Sequence, residues 1–195
     1  MWKIISVMNL IIFGPPGAGK GTQSNFIAKK YNLFQLSTGE ILREQIRNKT
    51  DLGIKISPVI NSGSFVSDDI VSELIDKIIK DKNYHNRIIF DGYPRSLSQA
   101  SNLDVLLKRY NQKIDLVLKL SVSLDTVIKR ISERRTLEKR EDDNEKIAIK
   151  RYKTYEKSTE PVIEYYKKLN LLKMIDGERS IDQINKEISD IISLI

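Results

Sequence analysis

The chain is expected to fold as three layers, α/β/α, with a five-stranded parallel sheet held between two layers of helices. Two observations carry this expectation. Short apolar runs alternate with amphipathic helical stretches, the pattern of strands buried on both faces. The first apolar run leads straight into a glycine-rich turn and a helix, the local order of a phosphate cradle. At 195 residues, 40% hydrophobic and 30% charged, the chain has the size and make-up of one globular domain with small inserts.

The expected strands are Asn9–Phe13, Leu33–Leu36, Ile88–Asp91, Leu116–Leu120 and Leu172–Asp176. After the first comes Gly14–Thr22, read GPPGAGKGT, and then a helix over Lys20–Tyr31. Small residues let successive backbone N–H groups converge on an anion, the helix N-terminus adds partial positive charge, and Lys20 reaches the terminal phosphates. Gly14, Gly19 and Lys20 fit the G-x-x-x-x-G-K spacing, while Gly21 stands where many nucleotidases carry Ser or Thr. Residues Thr38–Val66 supply two short helices where a crossover needs only one. A helix over Leu124–Ile131, capped by Ser123, lines up Leu124, Val127, Ile128 and Ile131. Arg134–Asp143 follows as a polar connector with no apolar stripe. In the last helix Ile181, Ile184, Ile188, Ile191 and Ile195 keep helical spacing, and Ser180 with Gln183 forms a capping-box pattern.

Composition excludes several classes. No apolar run approaches the length of about 20 residues that spans a bilayer. The first seven residues are too short and mixed for a secretory signal, and Met8 is itself a natural start, so 1–7 reads as an extension. The absence of Cys rules out disulfides and thiolate-held zinc and fits a cytoplasmic protein. The net charge of +7 is spread along helices and mixed with acids, with no aromatic-interleaved basic stretch, so nucleic acid is not the expected partner. With one His and no Cys, a triad is unavailable except around His85, which lies in the polar turn Asn83–Arg87.

What the chain does offer is fixed cations near strand ends, the requirement of phosphoryl transfer. Asp91–Arg95, read DGYPR, closes the strand Ile88–Asp91. A carboxylate at that carboxyl end can hold Mg²⁺ through water, and Gly92 and Pro94 turn Arg95 outward. Ser37–Arg43, read STGEILR, brings Arg43 one turn beyond Thr38. Thr38 could cap its helix or touch a ligand. Gln99 has the same two readings, as the far half of a capping box with Ser96 or as an amide that reads a base edge. Arg130, Arg134, Arg140 and Arg151 complete the set, while Arg135 and Lys139 read as solvated.

In this order the motifs resemble the short-lid adenylate kinases: G-x-P-G-x-G-K-G-T at Gly14–Thr22, S-T-G at Ser37–Gly39 with Arg43, D-G-[FY]-P-R at Asp91–Arg95 with Gln99, R-x-x-x-R at Arg130 and Arg134, R-x-D-D at Arg140–Asp143, then Arg151 and T-x-P at Thr159–Pro161. The resemblance runs from Met8 to the C-terminus and implies a P-loop fold. It implies reversible transfer of the γ-phosphoryl group of MgATP to AMP, giving two ADP, by a cytoplasmic monomer with no membrane or nucleic-acid partner. Gly17, Ala18, Gly19, Lys20, Gly21 and Thr22 would hold the ATP phosphates, with Arg130 and backbone near Arg179 on the adenine. Arg43 and Arg95 would bind the AMP phosphate. Thr38, Gln99 and the segment Ser64, Phe65 and Val66 would hold its adenosine, beside Gly92, Tyr93 and Pro94. Lys20, Arg95, Arg134, Arg140 and Arg151 would serve the transfer itself, with Asp142 and Asp143 orienting arginines and Asp91 holding Mg²⁺ through water.

The same resemblance divides the single domain 1–195 into a core (8–37, 67–132 and 144–195), an AMP flap (38–66) and a short lid (133–143). Arg134 and Arg140 stand only six positions apart, too few for the zinc knuckle of long-lid relatives, so no zinc is expected. The lid also lacks the glycines that such segments commonly carry. The nearest alternative is a UMP/CMP kinase of the same fold. A phosphate-loop ATPase or binding module without a monophosphate substrate is the alternative of another class.

Overall fold

A computed structural model describes residues 7–138 and 143–195. Five parallel strands stand in the order β2-β3-β1-β4-β5: β1 (Leu10–Phe13), β2 (Phe34–Ser37), β3 (Ile88–Asp91), β4 (Leu116–Ser121) and β5 (Leu172–Asp176). β1 is central, pairing Leu10 with Ile89 on one side and with Leu116 on the other. Its side chains alternate between two cores, as a strand covered on both faces must. Ile11 and Phe13 enter one core with residues of α4 (Asp68–Ile79), α5 (Leu97–Arg109) and α7 (Glu145–Lys168). Leu10 and Ile12 enter the other with residues of α1 (Lys20–Tyr31) and α8 (Ile181–Ile192).

The two expected inserted helices form as α2 (Thr38–Arg47) and α3 (Asp51–Asn61). Thr50 caps α3 by accepting from the Gly53 backbone N–H at 3.0 Å. The helices approach so closely that a Cβ on Gly53 would sit 2.0 Å from the Gln45 carbonyl oxygen. Gly53→Ala is therefore expected to force α2 and α3 apart and cost about 1–3 kcal/mol, read as a lowered Tm. An unchanged Tm would show that the pair yields freely.

Two expectations at helix ends are corrected, and one open reading is narrowed. α6 runs from Leu124 to Glu138, so the first part of the anticipated polar connector is helix. Glu133, Arg134, Arg135, Leu137 and Glu138 are strong helix formers, and with no Gly or Pro among them nothing stops the helix at Ile131. The α8 stripe is Ile184, Ile188, Ile191 and Ile192, whereas Ile181, the first residue of the helix, and Ile195, three residues past its end, lie exposed. Its capping box is complete, with both Ser180 and Gln183 bonds formed. Thr38 is the first residue of α2 and Ser37 is its N-cap, so Thr38 does not cap the helix. Among the described residues no helix is long and apolar enough to cross a membrane.

Candidate active site

The carboxyl ends of β1, β2 and β3 meet at one edge of the sheet, where α/β folds place their ligands. From β1 the chain turns through Gly14 to Gly19 and enters α1 at Lys20. Gly19 is the N-cap with φ 91°, a left-handed conformation that a Cβ would strain and that leaves the first N–H groups of α1 facing outward. Ala18 is buried and its N–H donates to the Pro15 carbonyl at 3.1 Å, fixing the loop. Lys20 Nζ lies across the loop, donating to the Gly14 and Pro15 carbonyls at 2.8 and 3.1 Å. Burial pushes its amine down to about 8 against the pull of Asp91, with Arg95, Arg151 and Arg134 lowering it further. Gly21 and Thr22 follow in the first turn of α1.

Asp91 ends β3 with its carboxylate buried, receiving Gln35 Nε2 from neighbouring β2 at 3.3 Å. Burial raises its pKa, opposed by Lys20, Gln35, Arg95 and Arg43. A buried carboxylate at the carboxyl end of a strand is a donor suited to a hydrated divalent cation. Thr38 donates to the Gly92 carbonyl at 3.1 Å, and Arg95 Nε donates to the same carbonyl at 2.7 Å. The peptide bond Tyr93–Pro94 is cis. Arg95 also lies over the Phe65 ring, 4.6 Å from its centroid. Burial, then Arg151, push the Arg95 guanidinium down to about 10, with Arg43 adding to the shift and Asp91 resisting it.

Two clefts share this edge. One, of about 610 Å³, is walled by Thr38, Gly39, Arg43, Ser64, Phe65, Val66, Gly92, Tyr93, Arg95, Gln99 and Arg151. The other, of about 460 Å³, is walled by Gly14, Lys20, Phe65, Gly92, Pro94, Arg95 and Arg151, with Tyr155 and Thr159 of α7 behind them. Phe65, Gly92, Arg95 and Arg151 belong to both, so the clefts meet between the phosphate loop and the inserted helices.

Asp143 has a fully buried side chain that grips Arg134 with two bonds of 2.6 Å, to Nε and Nη2, and faces Arg151 Nη1 at 3.8 Å. Arg130 stands one turn before Arg134 on α6 and donates to the Gly177 carbonyl at 2.9 Å. The Arg179 side chain is engaged by Glu187 and Asp176. Arg140 and Asp142 lie outside the described residues. His85 is exposed at the end of a 3₁₀ turn, remote from these walls.

The Gln99 pattern is half a capping box. Ser96 Oγ accepts from the Gln99 backbone N–H at 3.2 Å, but the Gln99 side chain turns away from the cap. Its Oε1 accepts from the Arg95 N–H at 2.7 Å and its Nε2 donates to Asp68 Oδ1 at 2.6 Å. Sequence reasoning missed Asp68, Gln35 and Tyr155, and gave Thr159 of the T-x-P motif no role. Asp68 and Gln35 act across distant parts of the chain; for Tyr155 the only local hint was its place one turn beyond Arg151 on one helix. Partial burial would raise the Asp68 carboxyl, yet hydrogen bonds from Ser98, Gln99 and Ser96 outweigh it and hold it below the usual carboxylate range.

Residues 12–171 match the family model described as adenylate kinase. The adenylate kinase of Pelagibacter ubique strain HTCC1062 is 46% identical, across 96% of this chain and 100% of its own length. That of Archaeoglobus fulgidus is 37% identical, across 96% and 99% respectively. That of Fusobacterium nucleatum is also 37% identical, across 95% and 98%. A phosphate loop facing an arginine-lined second cleft, together with likeness of this extent, leads to one assignment: the chain belongs to the adenylate kinase family.

Proposed function

We infer that this protein is an ATP:AMP phosphotransferase, moving the γ-phosphoryl group of ATP to AMP and back and so balancing the adenine nucleotides. The observation that carries the reading is the pair of clefts joined at Arg95 and Arg151, with Lys20 across one and Arg43 and Gln99 in the other. A site of that form holds two phosphate chains end to end and supplies charge where they meet.

In this reading the loop N–H groups from Gly17 to Thr22 and Lys20 hold the ATP phosphates. Arg130 and the backbone near Arg179 support its adenine. Arg43 and Arg95 take the AMP phosphate, while Thr38, Gln99 and the Ser64–Val66 backbone hold its nucleoside. Mg²⁺ comes with ATP and neutralises phosphate charge, and Asp91 is the residue that would hold it through water. Arg134, Arg140 and Arg151 close on the transferring group, with Asp142 and Asp143 orienting them. α2 and α3 act as a flap and residues 133–143 as a short lid, each excluding water as the site closes. The protein works in the cytoplasm, which a chain without Cys suits, and as a monomer, because a flap and a lid that move need free surfaces.

The deciding experiment fixes MgATP and compares turnover of AMP, CMP, UMP and GMP. A strong preference for AMP is expected. Preference for a pyrimidine would make the protein a UMP/CMP kinase, and hydrolysis of ATP that ignores every monophosphate would make it an ATPase.

A further inference from the structure

We propose that Asp68 is a positioning residue for base choice: it fixes which way round the Gln99 amide faces, and thereby selects adenine against hypoxanthine. The inference rests on the reading above, in which Gln99 meets the base of the monophosphate.

An amide is nearly symmetric in shape but opposite in hydrogen-bonding sense at its two ends. Which end lies where is therefore decided by neighbours that can only give or only accept. Gln99 has one of each. The Asp68 carboxylate, an acceptor, lies 2.6 Å from Nε2, and the Arg95 N–H, a donor, lies 2.7 Å from Oε1. Turning the amide over would set two acceptors together at one end and two donors at the other. The charged end is the stronger restraint, because hydrogen bonds to an ionised group are roughly twice as strong as neutral ones.

Asp68 is itself held. Its second oxygen accepts from Ser98 Oγ at 2.5 Å and Ser96 Oγ at 3.1 Å, both in the turn that opens α5. It sits in the first turn of α4, two residues after Val66, which walls the same cleft as Gln99. One carboxylate thus ties the exit of the inserted helices to the amide on α5. Gln99 is left with one N–H and one lone pair, in fixed order. Adenine presents an acceptor at N1 beside a donor at N6, which matches that order. Hypoxanthine presents a donor at N1 beside an acceptor at O6, which matches only the reversed amide. A site built for one pattern rejects the other because its polar groups go unpaired.

The test compares kcat/KM for AMP and IMP, at fixed MgATP, in the wild type, Gln99→Ala, Asp68→Ala and Asp68→Asn. Asp68→Ala is expected to lower the AMP/IMP ratio about tenfold, through KM for AMP, with kcat/KM for IMP unchanged or raised. Asp68→Asn keeps an acceptor without its charge and should fall between, about threefold below the wild type. A merely structural role would lower both substrates together and leave the ratio alone. If Asp68→Ala does not fold, the Asp68→Asn ratio decides. A ratio within about twofold of the wild type in every folded Asp68 variant overturns the proposal. Failure of the underlying reading looks different: the wild type would not prefer AMP to IMP, or Gln99→Ala would leave the preference intact.

Discussion

Lys20→Ala is expected to lower turnover by about 10³- to 10⁵-fold, by analogy with the loss of a single transition-state arginine in phosphoryl transfer. The protein should remain folded. Lys20 is a half-buried amine whose charge is disfavoured by its surroundings, and alanine suits the first turn of α1. A thermal melt and steady-state assay on the same sample would check both halves, and activity above about a tenth of the wild type would remove Lys20 from the chemistry. Its titration gives a second signature. Burial favours the neutral amine, so the charged form that grips phosphate is present below about pH 8 and is lost as pH rises through that value. The ratio kcat/KM for ATP should therefore decline above about pH 8, since it reports the free enzyme. The limb in kcat should lie higher, because bound phosphate restores the proton. Lys20→Ala should lack the limb in kcat/KM altogether.

Asp143→Ala is expected to be damaging in a different way. Its carboxylate is wholly buried between Arg134 and Arg151, which are themselves only about a fifth to a quarter exposed. Removing one partner of such a cluster leaves charge in a poor dielectric and costs about 3–5 kcal/mol. For a chain of this size that is a drop in Tm of roughly 6–20 °C. Two arginines would also lose their aim, and misplacement by about 1 Å can cost about 10²-fold in rate. Asp143→Asn, which keeps the shape, separates the effects: turnover should fall while most of the stability returns. If Asp143→Ala melts with the wild type, the cluster is not holding the fold.

Much of this architecture was legible in the chain itself. The five strands stand within about one residue of their expected ends, because a strand buried on both faces needs an apolar run and β1, β3 and β4 have one. The phosphate loop was legible for a related reason: its glycines and Lys20 are local in sequence and local in space. Two readings stayed open where a local rule competed with a distant partner. Thr38 could cap its helix or meet a ligand, and its hydroxyl goes to Gly92, 54 residues away. Gln99 could close a capping box or read a base, and Arg95 and Asp68 take one position at each end of its amide. The extension of α6 failed on another ground. Apolar periodicity reports burial, and a helix that runs on through Arg134 by propensity alone carries no such stripe.

That unbroken α6 has a mechanical meaning. Arg130 and Arg134 are four residues apart on one rod, hence about 6 Å apart along its axis. They cannot be adjusted separately: whatever tilts one tilts its companion. If Arg130 meets the purine and Arg134 the reacting end, one rigid body carries both, so a tilt of the rod that seats the base also swings the second guanidinium toward the phosphates.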